Sequence, residues 1–197
     1  MNDLIQVIKI LDKEDVDKLN HHIDDLDLSL STVFGARGEY SRTNEIVRSS
    51  TGSTLDENHQ LTKTLHMNIN KGLDEYKRRL VNIHPNFSFY PVPGGVGTKS
   101  WREPIQVLQY EKSQEYKFHH DDGDDPDLTE YHRKISVILY LTYDFTGGGT
   151  AFPHTTYKPK PGYALIFPSN WCYPHAGVPV LDGIKRVAVT WYYVDRA

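Results

Sequence analysis

Apolar residues recur with helical spacing in two segments of the N-terminal half of the chain. Residues 4–11 (LIQVIKIL) are largely apolar and predict a strand. Asp12, with Asp15 three positions on, marks a helix start, and one face of that helix would carry Val16, Leu19, Ile23 and Leu26. A clearer second helix is indicated by three- and four-residue steps between Leu61, Leu65, Ile69, Leu73, Tyr76, Leu80 and Ile83. Between them, residues 28–58 predict short strands and loops.

Beyond residue 84 the pattern changes to short apolar runs bounded by turn residues. The segment 91–97 (PVPGGVG) is turn-rich, and runs typical of strands follow at 104–110, 133–142, 162–167 and 185–194. Such spacing is typical of an all-β sandwich or barrel. We therefore expect a mostly β fold whose N-terminal helices pack outside a C-terminal double-stranded β barrel. The predicted organisation is one domain over 1–197, with helical support and substrate loops in 1–90 and the β core in 100–195.

Composition and charge narrow the classes of function. A content of 38% hydrophobic and 24% charged residues is typical of globular proteins, and a net charge of −4 argues against nucleic acid as a partner. The one cysteine, Cys172, cannot form a disulfide within the chain, which favours a reducing compartment and a packed side chain. The N-terminus is too polar for a signal peptide, and no run of about eighteen apolar residues occurs. We expect a cytoplasmic location and no membrane partner.

Residues 116–122 (YKFHHDD) carry candidate metal-binding chemistry. Residues two apart in a strand point to the same face, so a His-x-Asp pair presents an imidazole and a carboxylate to one point. With a second, distant histidine, such a pair makes the two-His-one-carboxylate triad of non-haem Fe(II) oxygenases. Two overlapping pairs are available, His119 with Asp121 and His120 with Asp122. Strand alternation allows only one of them to face inward.

The segment 103–121 (EPIQVLQYEKSQEYKFHHD) resembles the prolyl 4-hydroxylase pattern E-x-x-Q-V-x-x-Y-x-x-G-x-x-Y-x-x-H-x-D, with Ser113 in place of the usual glycine. Further segments are similar to the same family of Fe(II)/2-oxoglutarate-dependent dioxygenases: VRSSTGSTL at 47–55, RKISVILYLTYDFTGGGTAFP at 133–153, YKPKPGYALIFPS at 157–169 and HAGVPVLDGIKRVAVTW at 175–191. The resemblance implies a double-stranded β-helix core of the jelly-roll, cupin-like type. It points to a compact microbial, viral or algal-type enzyme.

The resemblance also implies which residues bind the metal. The register of the motif makes His119 and Asp121 ligands and turns His120 outward. His175, followed by the family's Pro-Val pair, is the implied third ligand, whereas the rival His154 lies outside the motif. The implied cofactors are iron(II), 2-oxoglutarate and O₂, with ascorbate as an optional reductant.

For 2-oxoglutarate, the resemblance implies a buried cation facing the distal carboxylate, because an unpaired buried charge is costly. Lys185 stands ten residues after His175, where collagen-type enzymes place a lysine, and it shares strand parity with Val187, Val189 and Trp191. Arg186 is expected to point the other way, to solvent. The remaining residues implied for the 2-oxoglutarate pocket are Tyr140, Tyr110 and Thr150, and those for the substrate pocket are Trp191, Tyr116 and Arg48.

The expected reaction converts peptidyl proline to 4-hydroxyproline while 2-oxoglutarate becomes succinate and CO₂. The segment 34–54, with Arg37, Arg42 and Arg48, is a candidate lid over a proline-containing peptide. Alternative substrates for the same chemistry are free proline, another small molecule or an alkylated nucleobase. A further alternative is a metal-binding module without turnover. The sequence does not predict the oligomeric state.

Overall fold

The computed structural model describes residues 2–33, 42–83, 98–122 and 133–196 of the chain. The predicted turn at 91–97 and the segment 34–41 of the candidate lid lie outside these residues. The helices are α1 (Lys13–Asp24) and α2 (Gln60–Ile83), with a short 3₁₀ turn at Asn2–Leu4. The strands of the larger sheet are β1 (Gln6–Lys9), β2 (Ser29–Leu30), β5 (Thr51–Thr54), β6 (Thr98–Arg102), β7 (Gln106–Tyr110), β9 (Arg133–Tyr140), β13 (Tyr163–Pro168) and β16 (Lys185–Arg196). The other strands are β3 (Thr32–Val33), β4 (Arg42–Thr43), β8 (Tyr116–His119), β10 (Phe145–Gly147), β11 (Thr150–Phe152), β12 (Thr155–Tyr157), β14 (His175–Gly177) and β15 (Val180–Gly183).

Helix α1 begins where the sequence predicted. Asp12 is the residue before the first turn and has an extended backbone, although its side chain makes no capping hydrogen bond. Val16, Leu19 and Ile23 are buried along one face, as expected. Leu26 lies beyond the end of the helix but still packs against the same core.

Helix α2 is the longer helix and lies against the larger sheet. Its apolar stripe is buried as predicted except at the two ends of the helix, where Leu61 is only half-buried and Ile83 is 42% exposed. Gly72 allows the close approach: a Cβ atom at this position would lie 2.2 Å from Cδ1 of Ile10. A side chain here would therefore require the Ile10 side chain to move.

The two faces of the larger sheet pack against different parts of the protein. Its strands are antiparallel neighbours in the order β1-β13-β9-β16-β7-β5-β2, with β6 also pairing β16. Strand β9 illustrates the alternation, since Val137 and Leu139 pack with the helices, whereas Ile138 and Tyr140 pack on the opposite side. The helices therefore cover one face of the sheet, as the sequence predicted.

A smaller antiparallel sheet lies on the side away from the helices, with the order β12-β11-β14-β8. Residues of the two sheets share a second apolar cluster, in which Phe152 of the smaller sheet packs edge-on against Phe167 of the larger one. The space between the sheets is where most of the predicted site residues meet. In the part of the chain that the structure describes, neither helix combines the length and apolar character needed to cross a bilayer.

Candidate metal and cosubstrate site

Three side chains predicted to bind metal converge at one end of the space between the sheets. Nε2 of His119 lies 3.4 Å from Oδ1 of Asp121, and Nε2 of His175 lies 3.6 Å from Oδ2 of the same carboxylate. One ligand atom from each residue lies within 4.8 Å of the other two. His120 and Asp122 are outside this cluster. Two imidazoles and one carboxylate therefore face a common point.

A β-bulge in strand β8 gives His119 its direction. His119 pairs with His175 and Tyr116 pairs with Gly177, so β8 has one residue more than β14 between the two pairs. A bulge re-aims side chains. Both Tyr116 and His119 consequently face the cavity, with their rings stacked at 3.6 Å.

Asp121 reaches the cluster by a different route from the one predicted. The sequence placed His119 and Asp121 on one strand, but β8 ends at His119 and Asp121 lies in a bend. The backbone N–H groups of Asp121 and Asp122 both donate to the carbonyl of Ser169, at 3.1 and 2.9 Å. The prediction of a shared strand was wrong because this backbone turns away to pair with the segment after β13.

Backbone carbonyls orient both histidine rings. Nδ1 of His119 lies 2.8 Å from the carbonyl of Lys117, and Nδ1 of His175 lies 3.2 Å from that of Tyr173. A carbonyl can only accept, so each Nδ1 carries the proton and each Nε2 presents its lone pair toward Asp121. This is the tautomer that a metal ligand requires.

The protonation states also suit a metal. Burial is the main cause that lowers the pKa of His175 to about 4; Asp121 opposes this shift, and the nearby His119 adds to it. Burial alone would raise the pKa of Asp121, but the two histidines and the hydroxyl of Ser136 hold it well below its ordinary value. Two imidazoles and an ionised carboxylate form the donor set that binds Fe(II) and leaves other positions open. These residues therefore fit an iron(II) ion.

A buried lysine lies at the other end of the cavity. Lys185 is 3% exposed, and its ammonium lies 4.8 Å from the ring centre of Tyr110 and 5.4 Å from that of Tyr140. Burial, assisted by Lys158, lowers its pKa to about 7. No carboxylate within 2–33, 42–83, 98–122 or 133–196 forms an ion pair with it. A buried cation of this kind calls for an anionic ligand.

Two hydroxyls accompany the lysine. The hydroxyl of Tyr140 lies 2.8 Å from Oγ1 of Thr150, and burial raises the pKa of Tyr140 above its usual range. The phenol therefore remains a hydrogen-bond donor at physiological pH. The strands bring these groups together through register, because β16 pairs Lys185 with Tyr110 and Val187 with Tyr140.

A cavity of about 100 Å³ connects the two ends. Its apolar walls are Leu108, Ile138, Val187 and Val189. The predicted site residues that also line it are His119, Asp121, His175, Lys185, Tyr110, Thr150, Trp191, Tyr116 and Arg48. Tyr140 is hydrogen-bonded to Thr150, which lines the cavity. The structure thus brings all ten predicted site residues to one place.

The residues that the sequence analysis considered but did not assign to the site lie outside the cavity. His154 is exposed in the turn between β11 and β12. Arg186 does point away from the cavity, but the expectation that it faces solvent was wrong: it donates to Gln109 at 2.8 Å and forms an ion pair with Asp24 at 2.6 Å. The ion pair explains the difference, since α1 packs on that face of the sheet. Cys172 is half-buried and unpaired.

Sequence reasoning missed an arginine beside the metal end. Arg133 forms a two-bond pair with Glu103 at 2.5 and 2.7 Å, and its guanidinium lies 3.8 Å above the ring of Trp191. Ser136 was missed as well, although its hydroxyl contacts Asp121 at 2.6 Å. A signal for Ser136 was present, since a serine with the parity of Tyr140 interrupts the apolar run at 135–140.

Comparisons with known proteins agree with this architecture. Residues 105–194 match the 2OG-Fe(II) oxygenase superfamily. A putative prolyl 4-hydroxylase of Acanthamoeba polyphaga mimivirus is 37% identical over 107 residues, which cover 46% of this chain and 44% of the relative. Prolyl 4-hydroxylase 2 of Arabidopsis thaliana is 29% identical over 160 residues, covering 64% of this chain and 51% of the relative. The chain thus spans about half the length of these curated relatives.

Solved structures are similar over nearly the whole chain. The viral collagen prolyl hydroxylase of Paramecium bursaria Chlorella virus-1, solved as a 2OG complex, aligns with a TM-score of 0.68 and 22% identity over 96% of this chain and 95% of that one. A Pseudomonas putida prolyl-4-hydroxylase aligns with a TM-score of 0.63 and 16% identity over 98% and 93%. These likenesses confirm the predicted jelly-roll fold, and the sequence matches confirm the predicted resemblance.

Proposed function

We propose that this chain, whose residues 105–194 match the 2OG-Fe(II) oxygenase superfamily, is an iron(II)- and 2-oxoglutarate-dependent dioxygenase that hydroxylates a prolyl residue in a peptide or protein. The observation that carries the proposal is a single cavity with a metal-ligating triad at one end and a buried lysine at the other. A metal-chelating dicarboxylate is complementary to both ends at once.

In this proposal His119, Asp121 and His175 hold iron(II) through two imidazole nitrogens and one carboxylate. Bound iron(II) supplies the oxidative chemistry, in which O₂ and 2-oxoglutarate yield succinate, CO₂ and one hydroxylated C–H bond. The protein supplies ligands of fixed direction, because Nδ1 of each histidine is already committed to a backbone carbonyl. It also supplies apolar walls that exclude water from the reacting groups.

Lys185 would neutralise the distal carboxylate of 2-oxoglutarate. The ammonium is buried, and the Tyr140–Thr150 hydroxyl pair joins the adjacent strand β9 to β11 of the smaller sheet. Charge-assisted hydrogen bonds in a dry site are strong, and a bound anion would raise the pKa of Lys185 above its value of about 7 in the free protein and so hold its charge.

The prolyl substrate is proposed from the relatives, which are named as prolyl 4-hydroxylases. The cavity mouth offers surfaces that suit a proline ring and an extended peptide. Trp191 and Tyr116 line the cavity with aromatic rings, and the guanidinium of Arg48 lies 4.9 Å from the centre of the Tyr116 ring. Arg48 is itself held by the carbonyl of Thr32 at 3.1 Å. We also propose a cytoplasmic location, on the strength of the lone Cys172.

The test is a turnover assay with product analysis. The full chain is incubated with iron(II), 2-oxoglutarate, O₂ and a proline-rich peptide, with and without ascorbate, and succinate and peptide mass are followed. We expect iron-dependent succinate and a 4-hydroxyproline product that both disappear in Asp121→Ala, while His154→Ala retains activity. Free proline and a methylated oligonucleotide are assayed in parallel, and exclusive modification of either would replace the peptide as substrate. Metal binding without any succinate release would contradict the proposal.

A further inference from the structure

Two buried serines connect Asp121 to the larger sheet. Ser136 lies on β9, and Ser169 directly follows β13, the neighbouring strand, where its backbone N–H donates to the carbonyl of Lys134 at 3.1 Å. Both serines are 0% exposed. Ser136 lies four residues before Tyr140 on the same strand, so both side chains point to the face of the sheet that lines the cavity. The two hydroxyls are 2.8 Å apart.

The hydrogen-bond directions follow from proton counting. The hydroxyl of Ser136 donates to Oδ2 of Asp121 at 2.6 Å, and a serine hydroxyl has only one proton to give. In the bond between the serines, Ser169 must therefore be the donor and Ser136 the acceptor. The carbonyl of Ser169 meanwhile accepts the backbone N–H of Asp121. Ser169 thus fixes the backbone of Asp121 directly and its carboxylate through Ser136.

We infer that Ser136 and Ser169 are positioning residues for the metal, an inference that rests on the proposed function. They hold Oδ2 of Asp121 as a hydrogen-bond acceptor and leave Oδ1, on the side of His119, as the oxygen that binds the ion. A carboxylate held this way offers the metal one oxygen rather than two. The positions that 2-oxoglutarate and O₂ need then stay open.

Metal binding by variants of the full chain tests the inference. Manganese(II) is titrated calorimetrically into wild type, Ser136→Ala and Ser136→Thr, and cobalt(II) spectra are recorded for each. We expect Ser136→Ala to bind manganese(II) about tenfold more weakly, as other losses of an outer hydrogen bond to a ligand do. Its cobalt(II) spectrum should change because the second carboxylate oxygen becomes free to bind. Ser136→Thr keeps the hydroxyl and should restore both properties.

Ser50→Ala is the matched control. Ser50 is also a fully buried serine bonded to a second serine, Ser31 at 3.0 Å, but its other partner is Arg48 rather than a candidate metal ligand. Its loss should leave manganese(II) affinity unchanged. A purely structural role for Ser136 would lower thermal stability in both alanine variants and leave the cobalt(II) spectrum of Ser136→Ala as in wild type.

The outcomes separate this inference from the proposed function. Wild-type affinity and an unchanged spectrum in Ser136→Ala would overturn the inference and leave the enzyme proposal standing. Wild-type protein that binds no metal would overturn the proposed function, and the inference with it.

If Ser136→Ala does not fold, Ser169→Ala tests the inference instead. It removes the hydroxyl that donates to Ser136 but keeps the contact between Ser136 and Asp121, so manganese(II) affinity should fall several-fold. Wild-type manganese(II) affinity in Ser169→Ala would contradict the inference.

Discussion

The two ends of the cavity are built in opposite ways. At the metal end, one carboxylate is surrounded by two histidines and a serine hydroxyl, and its position depends on a bulge and a bend. At the lysine end, a single cation lies among aromatic rings on β7 and β9, which pair with β16 here without a bulge, and the structure gives it no carboxylate partner within its described residues. The metal end therefore offers ligand atoms for a cation, whereas the lysine end carries a positive charge that needs an anionic ligand.

The difference identifies the kind of ligand that would bind. Burying a charge without a partner destabilises a protein, so a buried lysine is retained where a ligand provides the anion. A ligand that carries a carboxylate at one end and binds metal at the other satisfies both regions. The comparison also separates the two contributions experimentally, because metal affinity should depend on one end and cosubstrate affinity on both.

The largest expected effect is at the metal end. Asp121→Ala or His175→Ala removes one of three ligands, and manganese(II) affinity should fall by more than about 100-fold, beyond the loss caused by an outer-shell change. Isothermal titration measures it, with the exposed His154→Ala as control. Wild-type affinity in both ligand variants would show that the metal binds elsewhere.

Lys185→Met should separate the two ends. Manganese(II) affinity should stay unchanged, while 2-oxoglutarate affinity should fall by about 100-fold, because losing one partner of a buried charge pair costs about 3 kcal/mol or more. The ligand-free protein should become more stable, since an unpaired buried cation is removed. Calorimetry and thermal unfolding check both effects. Arg186→Met removes the neighbouring cation from the opposite face and should leave 2-oxoglutarate affinity unchanged.

The affinity for 2-oxoglutarate should also depend on pH, because it involves the charge of Lys185. The pKa of Lys185 is lowered by burial to about 7, so the free protein loses this charge as pH rises through neutrality. Above that pH, 2-oxoglutarate affinity should fall by up to about tenfold per pH unit. Lys185→Arg keeps its charge and should flatten the profile. A wild-type affinity that does not change between about pH 7 and pH 9 would contradict this assignment.

The lowered pKa of Lys185 also makes the stability of the ligand-free protein depend on pH. Between about pH 7 and the ordinary lysine value of 10.5, the unfolded chain binds a proton at Lys185 that the folded chain does not. The contribution of Lys185 therefore makes the ligand-free protein more stable as pH rises through this window. Comparing wild type with Lys185→Met by denaturant unfolding isolates this contribution, which should be absent from the variant.

The smallest expected effect is that of Tyr140→Phe. Loss of one neutral hydroxyl should weaken 2-oxoglutarate binding about fivefold, as expected for a hydrogen bond worth about 1 kcal/mol. Tyr76→Phe is the matched control, because its buried hydroxyl donates to the carbonyl of Leu4 on the helical side of the sheet. That control should lower stability without changing cosubstrate affinity, and an equal loss of affinity in both variants would remove Tyr140 from the pocket.

The regular end of the cavity could be predicted from the sequence more completely than the irregular end. The parity of Lys185, Val187 and Val189 places all three on the inner face, because a long strand keeps its alternation. The same rule failed at Asp121, since β8 ends at His119 and the chain bends to pair with Ser169. The periodicity of a strand does not predict bulges and bends, because these depend on contacts with distant residues.

Contacts between secondary-structure elements could not be predicted from the sequence either. Nothing in the pattern indicated that Arg186 would meet Asp24, because that ion pair depends on where α1 packs. The role of Ser136 likewise depends on the position of Asp121, fifteen residues earlier in the chain. The helices and main strands, in contrast, were predicted with small errors at their ends because burial periodicity is a local property.

The most direct test of the central claim is a crystal structure of the chain with manganese(II) and 2-oxoglutarate, grown without oxygen. We predict one metal ion bound by His119, Asp121 and His175, with the distal carboxylate of 2-oxoglutarate bonded to Lys185. A metal ion bound at another site, a fourth protein ligand on the ion, or a carboxylate that does not contact Lys185 would contradict the account.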